Sequence, residues 1–220
     1  MFQDQNPIAE FRGPWGVPIQ IGASLILIPI VFVDLFGASP AGLSRDLIFV
    51  AILIGSIYLH ELGHAWGSLI QGVPVRRIML YGGGGFCERA RSATRYEQEL
   101  IVAMGPIVNL VLWAVAGLIA GFMKDPEIWW VFATISSVNL FLAIMNLVPV
   151  QPLDGGKLFE LFLFRVLPPG AAIRVAGAVG LFLSILWIPV MLMSFVALGL
   201  MLFFIPSPRL HWQMLRYREA

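Results

Sequence analysis

The sequence predicts an all-α polytopic membrane protein of about six transmembrane helices with a small membrane-associated β element. Hydrophobic residues make up 59% of the 220 residues and charged residues only 12%, whereas soluble domains carry about 25% charged residues. The charged residues are concentrated between long apolar segments. A net charge of +1 without a basic stripe excludes a nucleic-acid partner, so the lipid bilayer is the expected environment.

Apolar segments that could cross a bilayer recur six times along the chain. A spanning helix needs about 20 mostly apolar residues, and the fifth segment is shorter than the others. No linker leads to a second soluble domain, so we expect residues 1–220 to form a single intramembrane domain with no appended soluble regulatory domain. The predicted crossings are residues 17–37, 45–71, 99–122, 128–150, 153–167 and 171–205.

Lysine and arginine residues predict the orientation, because they accumulate in short cytoplasmic loops. Five arginines lie between the second and third crossings, so that loop should be cytoplasmic. Alternation of the crossings then places ten of the 14 Lys and Arg residues on the cytoplasmic side. We therefore expect a multi-pass protein with both termini in the cytoplasm. The five loop arginines are Arg76, Arg77, Arg89, Arg91 and Arg95.

Two short segments predict the β element. Residues 73–86 read VPVRRIMLYGGGGF, which is too short and too polar to span a membrane and ends in glycines. This composition predicts a strand and a turn there rather than a helix. Residues 17–24, VPIQIGAS, alternate and contain β-branched side chains, which is typical of a strand. We expect this segment to supply a partner strand before the first helix.

The run HELGH at residues 60–64 lies inside the second predicted crossing. Residues four apart share a face of a helix, so the imidazoles of His60 and His64 can reach one metal ion. Glu61 is the candidate general base, because its carboxylate can take a proton from water at the metal. Ionisable groups at membrane depth are costly and require a compensating role, which favours a metal site over a chance match.

A third metal ligand is needed, because a catalytic zinc ion usually has three protein ligands. Glu88, Glu97 and Glu99 lie in the basic loop, where solvated charge is the simpler interpretation. Asp154 follows the fourth crossing at its cytoplasmic end, on the side that HELGH approaches. It is the favoured third ligand, although it could also cap the helix that follows it.

Other polar and small residues within the apolar segments have simpler interpretations. Asn109 and Asn139 lie at membrane depth, where an internal hydrogen bond is expected. Gly63 and Gly67 form a GxxxG pair, which indicates close helix packing within the bundle. His211 lies in the cytoplasmic tail, where an interfacial anchor is a better interpretation than a metal ligand.

Four motifs together resemble the site-2 protease family of intramembrane zinc metalloproteases. They are HELGH, the glycine-rich segment that follows it, MGPIVNL at 104–110, and NLVPVQPLDGG at 146–156. The resemblance covers nearly the whole chain. It implies hydrolysis of a peptide bond in or near a transmembrane helix of a single-pass or other membrane-protein substrate, as in regulated intramembrane proteolysis. A prokaryotic cell membrane is the expected location, with the active site on the cytoplasmic side.

The resemblance also implies a role for individual residues and a cofactor of one Zn2+ per chain. The alternative functions are a catalytically silent membrane scaffold and a metal-handling membrane protein. The chain keeps the full set of implied catalytic residues, which argues against the first, and its outer half has no further ligating residues, which argues against the second. The implied residues are His60, His64 and Asp154 as zinc ligands, Glu61 as the base, Asn146 on the substrate backbone, and Gly82, Gly83, Gly84, Gly85 and Phe86 as an edge strand for substrate.

Overall fold

The computed structural model describes residues 7–34, 39–198 and 206–217. In these ranges the chain forms seven α-helices and four β-strands, in two compact units that comprise residues 1–143 and 144–220. The strands are β1 (Pro7–Arg12), β2 (Pro18–Gly22), β3 (Val75–Tyr81) and β4 (Gly84–Arg89). The helices are α1 (Leu27–Phe32), α2 (Pro40–Leu69), α3 (Arg95–Ala120), α4 (Pro126–Leu147), α5 (Asp154–Val166), α6 (Pro169–Leu198) and α7 (Pro208–Leu215).

Four of the predicted crossings coincide with helices that are long and apolar enough to span a membrane. They are α2, α3, α4 and the first 23 residues of α6, Pro169–Met191. Two of these helices begin at sequence-encoded caps. Ser39 accepts a hydrogen bond from the main chain of α2, and Thr94 forms a capping box with Glu97 at the start of α3. The predicted class, a mostly helical membrane protein with a small sheet, is confirmed.

A count of six crossings is not confirmed, because two predicted segments are not span-length helices where the structure describes them. The segment 17–37 begins with β2 and continues as a short helical stretch, Ala23–Phe32. Residues 35–38 of that segment, like residues 199–205 of the last crossing, lie outside the described residues. The segment 153–167 is α5, whose 13 residues extend about 20 Å, short of the roughly 30 Å hydrocarbon core.

The four strands form one sheet in the order β1-β2-β3-β4. β2 pairs with β3 in parallel, with Ile19 opposite Ile78, and β3 pairs with β4 antiparallel. The predicted partnership between the two β segments is therefore correct. Ile19, Ile78 and Leu80 pack with Ala65 of α2 in a buried cluster, and this packing places β3 and β4 beside the helix that carries HELGH.

Helices α2 and α3 approach closely because glycines line the side of α2 that contacts α3. A Cβ atom on Gly63 would lie 2.7 Å from the carbonyl oxygen of Met104, and one on Gly67 would lie 2.9 Å from the Cγ atom of Met104. Both distances are shorter than any normal contact, so neither position accommodates a larger residue without movement. The predicted role of this GxxxG pair in packing within the bundle is confirmed.

In the second unit, α7 packs on α6, and His211 is the buried residue of that contact. Only 1% of His211 is exposed, so its prediction as an interfacial anchor was wrong. The reason is the absence of a side chain at Gly180 of α6, since a Cβ atom there would overlap the His211 ring. The neighbouring Trp212 is 45% exposed and stacks with Arg216, which makes Trp212 the residue suited to an interface.

Candidate metal centre

His60, Glu61 and His64 lie in the C-terminal half of α2 and are all buried, with 6%, 6% and 9% of each residue exposed. Their spacing of one and four residues brings them to one side of the helix. One potential ligand atom from each residue lies within 4.8 Å of the others. The motif therefore forms a compact cluster of metal-binding groups inside an otherwise apolar helix.

The two imidazoles point their Nε2 atoms at each other. The distance between Nε2 of His60 and Nε2 of His64 is 3.0 Å, and the ring planes are almost perpendicular, at 85°. Two nitrogens bound at 2.0–2.1 Å to a tetrahedral zinc ion lie about 3.3 Å apart. The separation in the structure is close to that value, so the pair of donors fits a zinc ion.

The other nitrogen of each ring faces an acceptor. Nδ1 of His60 lies 2.5 Å from Oδ1 of Asn109, and Nδ1 of His64 lies 2.8 Å from the carbonyl oxygen of Ile101. In a neutral imidazole with one proton, these contacts place that proton on Nδ1. Nε2 of each ring then presents a lone pair, which is the form in which an imidazole binds a metal ion. This tautomer is a second reason that the site suits a metal.

Helix α3 supplies the surface against which both rings lie. Ile101, Gly105 and Asn109 are four residues apart and therefore share one face. A Cβ atom on Gly105 would lie 2.5 Å from Cε1 of His64 and 2.7 Å from Cε1 of His60. Gly105 leaves the space that the two rings occupy. The acceptors one turn before and one turn after it, the carbonyl oxygen of Ile101 and Oδ1 of Asn109, orient the Nδ1 atoms of the two rings.

Asn109 belongs to a buried hydrogen-bond chain across three helices. Its Nδ2 donates to Oδ1 of Asn139 at 2.8 Å, and Nδ2 of Asn139 donates to Oγ of Ser56 at 2.9 Å and to the carbonyl oxygen of Ile135 at 2.8 Å. The internal hydrogen bonds predicted for the two asparagines are confirmed. From the sequence, Asn109 was expected only to form an internal hydrogen bond, although its spacing of four residues from Gly105 was a usable signal that it belongs to the site.

Strand β4 passes beside Glu61. A Cβ atom on Gly85 would lie 2.6 Å from Cγ and 2.9 Å from Oε1 of Glu61, so only glycine permits this approach of the main chain to the carboxylate. Cys87, two residues along the strand, packs against the cluster around Ile19. Burial, together with the charge of Glu61, raises the pKa of Cys87 to about 12, so its thiol stays protonated at neutral pH.

The glycine-rich segment is divided between a turn and a strand. Gly82 and Gly83 form the turn after β3, whereas Gly84, Gly85 and Phe86 begin β4. Gly84 has a φ angle of +124°, a conformation that favours glycine. In the sheet order, β4 is a terminal strand. One edge of β4 is therefore not paired within the sheet. A strand that binds an extended substrate needs an edge of this kind.

Two of the alternative acidic ligands are engaged in ion pairs of the basic loop. Glu88 lies 2.6 Å from Arg77, and Glu97 lies 2.8 Å from Arg91. Glu97 also accepts a hydrogen bond from the main chain of Thr94 in the cap at the start of α3. Glu99 lies near the start of α3. These pairings agree with the interpretation of Glu88 and Glu97 as surface charge.

Asn146 and Asp154 lie in the second unit, at the two ends of one short loop. Asn146 is the penultimate residue of α4, and Asp154 is the first residue of α5 rather than its N-cap. The glycines that follow Asp154 allow the loop to fold onto the start of α5, since a Cβ atom on Gly155 would overlap the carbonyl group of Leu147. The histidines and Asp154 belong to different units, and Asp154 as the third ligand stays a prediction.

Comparisons with known proteins agree with these observations. The family model of peptidase family M50 matches residues 48–126 and 122–187. A zinc metalloprotease of Methanocaldococcus jannaschii is 28% identical over 177 residues, which cover 78% of this chain and 50% of that protein. Stage IV sporulation protein FB of Bacillus subtilis is 30% identical over 114 residues, which cover 51% of this chain and 39% of that protein. The chain thus spans half or less of the length of these curated relatives.

A solved structure shares the fold over almost the full length of the chain. The site-2 protease from Methanocaldococcus jannaschii superposes with a TM-score of 0.66 at 24% sequence identity. The match covers 96% of this chain and 97% of that one. The helical architecture with its small sheet is therefore shared with that solved structure.

Proposed function

Because the chain belongs to peptidase family M50, the site-2 protease family, we propose that it is an intramembrane zinc metalloprotease. Its reaction is hydrolysis of a peptide bond in or near a transmembrane helix of a single-pass or other membrane-protein substrate. One observation carries the proposal: two buried imidazoles direct their Nε2 atoms to within 3.0 Å of each other on a span-length helix. Glu61 lies in the same group of potential ligands, which supplies a base beside the metal position.

The proposed ligands of one zinc ion per chain are His60, His64 and Asp154. Zinc, when bound, supplies a Lewis acid and lowers the pKa of water toward about 7. Glu61 accepts the proton of the attacking water and donates it to the leaving amine. A general base must lie within hydrogen-bond reach of the proton that it takes, and the closeness of the Glu61 carboxylate to both imidazoles supports this assignment.

The proposed substrate contacts are the main chain from Gly82 to Phe86 and the carboxamide of Asn146. A transmembrane helix must unwind before hydrolysis, because its carbonyls are engaged within the helix. The freed groups need new partners, since unpaired main-chain groups are costly in a membrane. Addition of the unwound segment to β4 as a further strand provides them. The contact of Gly85 with Glu61 supports this assignment, because a peptide paired with β4 would lie near the base.

The proposed location is a prokaryotic cell membrane, with both termini and the active site on the cytoplasmic side. The charge distribution supports this orientation, because the arginine-rich loop between α2 and α3 carries the strands next to the site. We treat residues 1–220 as one intramembrane protease domain. Water reaches such a site from the cytoplasm if the loop and sheet lie at that surface.

The test is substitution of Glu61 by glutamine in the full-length chain, purified in detergent and supplied with a single-pass helical substrate. Loss of a general base typically lowers the rate about 100- to 10,000-fold, so Glu61→Gln should abolish detectable cleavage and retain bound zinc. Glu127→Gln is a matched control, because Glu127 is exposed and paired with Arg45; it should cleave like the parent. Asp154→Ala should lower the zinc content per chain.

Each failure of this test indicates a different function. If the parent binds zinc but cleaves no membrane-protein substrate, the catalytically silent scaffold is the better description. If the parent moves zinc into liposomes, the chain handles metal. Cleavage that survives Glu61→Gln contradicts the protease mechanism directly. An unchanged zinc content in Asp154→Ala returns the search for the third ligand to Glu88, Glu97 and Glu99.

A further inference from the structure

We propose that Asn109, held in place by Asn139 and Ser56, is a positioning residue that fixes the His60 ring for metal binding. The proposal rests on the zinc site described under the proposed function, and it assigns a role to three residues outside the HELGH motif. All three are buried, with Asn109 and Asn139 at 0% exposure and Ser56 at 4%. The hydrogen-bond chain that they form ends on His60.

The direction of this hydrogen-bond chain is decided at Asn139. Its side-chain nitrogen lies 2.8 Å from the carbonyl oxygen of Ile135, and a carbonyl can only accept a hydrogen bond. The nitrogen must therefore be the NH2 group, and its second hydrogen reaches Ser56 Oγ. The oxygen of Asn139 is left to face Asn109, from which it accepts a hydrogen bond at 2.8 Å. One main-chain carbonyl thus fixes the orientation of both carboxamides.

The same direction fixes the proton on His60. With its NH2 group directed at Asn139, Asn109 presents its oxygen to Nδ1 of His60, and the ring must donate there. Nε2 of His60 then carries a lone pair rather than a proton, which is the form that binds a metal ion. A rotated Asn109 carboxamide would present NH2 to Nδ1, move the proton to Nε2 and block the metal. Supporting partners of this kind hold ligand tautomers in metal sites generally.

The arrangement makes α4 part of the metal site although it contributes no ligand. Ser56 and His60 lie on α2, Asn109 on α3, and Asn139 on α4. Helix packing alone would not need a directional chain that ends on a ligand. Ser136 illustrates the difference: its hydroxyl also joins α4 to α3, by a hydrogen bond to the carbonyl oxygen of Trp113 at 3.0 Å, and it does not continue to either histidine.

The experiment measures zinc affinity in the full-length chain by competition with a chelating dye, after zinc has been removed. Asn109→Leu should weaken zinc binding about 10- to 100-fold, the range for lost supporting partners of metal ligands. Asn109→Asp should bind zinc more tightly than Asn109→Leu does, because a carboxylate oxygen still accepts from Nδ1 and only the donor to Asn139 is lost. Asn139→Leu should weaken it less than Asn109→Leu does. Ser136→Ala is the matched control and should bind zinc like the parent.

Cobalt(II) absorption separates positioning from stability. Asn109→Asp places a stronger acceptor on His60, so the cobalt band should shift while one metal remains bound; a purely structural Asn109 would leave the band unchanged. An unshifted band, or parent-like zinc affinity in folded Asn109→Leu, overturns the proposal. The cobalt test with Asn109→Asp remains decisive even if Asn109→Leu does not fold, because aspartate is nearly isosteric with asparagine. A parent chain that binds no zinc would instead overturn the proposed function.

Discussion

Alanine at position 105 is the substitution for which the structure gives the most direct expectation. The Cβ atom would lie 2.5 Å from Cε1 of His64 and 2.7 Å from Cε1 of His60. Carbon atoms normally approach to about 3.5 Å, so the rings or α3 must move by about 1 Å. Metal–ligand distances hold within about 0.2 Å, and this movement is about five times larger. We expect Gly105→Ala to weaken zinc binding at least tenfold, the lower end of the range for lost support of a metal ligand.

The assay is zinc affinity by chelator competition, together with the melting temperature of the zinc-free chain. Alanine favours a helix over glycine by about 1 kcal/mol, so helix propensity alone would stabilise α3. Gly55→Ala is the matched control, because Gly55 also lies inside a helix, α2, and an added Cβ atom there meets nothing within 4 Å. The control should bind zinc like the parent and melt at the same or a higher temperature.

Parent-like zinc affinity in a folded Gly105→Ala chain would refute the reasoning. It would mean that α3 does not press against the two rings as the structure places it, or that the rings can shift together without loss of metal geometry. Equal losses of affinity in Gly105→Ala and Gly55→Ala would also refute it, because the second position has space for the added atom.

Two further predictions concern the strand beside the base and the terminal helix. Gly85→Ala should reduce cleavage at least tenfold with zinc content unchanged, because the added Cβ atom would lie 2.6 Å from Cγ of Glu61 and displace the base; parent-like turnover would contradict this. Burial lowers the pKa of His211, partly opposed by the main chain of Gln151. The folded chain therefore binds fewer protons than the unfolded one, and stability should fall as the pH drops below about 6.5. Melting temperatures from pH 5 to 8 should show a smaller fall in His211→Gln, and parallel profiles would contradict the expectation.

Local hydropathy predicted the long helices because a helix in contact with lipid needs apolar residues along its whole length. The boundaries of α2, α3 and α4 lie within about five residues of the predicted ones. Local hydropathy also predicted a crossing at 17–37, where the structure has β2 and a short helical stretch. The isoleucines of β2 are apolar for a reason other than contact with lipid. Ile19 is buried against β3 and α2, so its hydrophobicity reports packing in the sheet rather than a helix in lipid.

The segment 153–167 was misread for a related reason. α5 has apolar residues, such as Leu161 and Leu163, that are buried in the second unit. Its polar residues are partnered inside the same unit, where Glu160 accepts hydrogen bonds from Gln151 and Lys157. A local count of apolar residues detects the buried apolar side chains of α5 but not the hydrogen bonds of its polar side chains. A short amphipathic helix therefore resembles a crossing in the sequence.

The metal motif could be predicted because its information is local. A spacing of four residues on a helix brings His60 and His64 to one face whatever the rest of the chain does. The supporting residues could not be assigned in this way, since Asn109 is 49 positions from His60 and meets it only because α2 and α3 pack together. The glycines of α2 that permit this packing were visible in the sequence, but the register between the two helices was not.

A pair of histidines four residues apart defines less of a metal site than the motif suggests. Each ring can still rotate, and each can carry its proton on either nitrogen. Helix α3 removes both freedoms: the carbonyl of Ile101 and the carboxamide of Asn109 accept from the two Nδ1 atoms, and Gly105 between them leaves space for the rings. We therefore expect metal affinity to depend on α2 and α3 together, because α2 supplies the two histidines and α3 orients them.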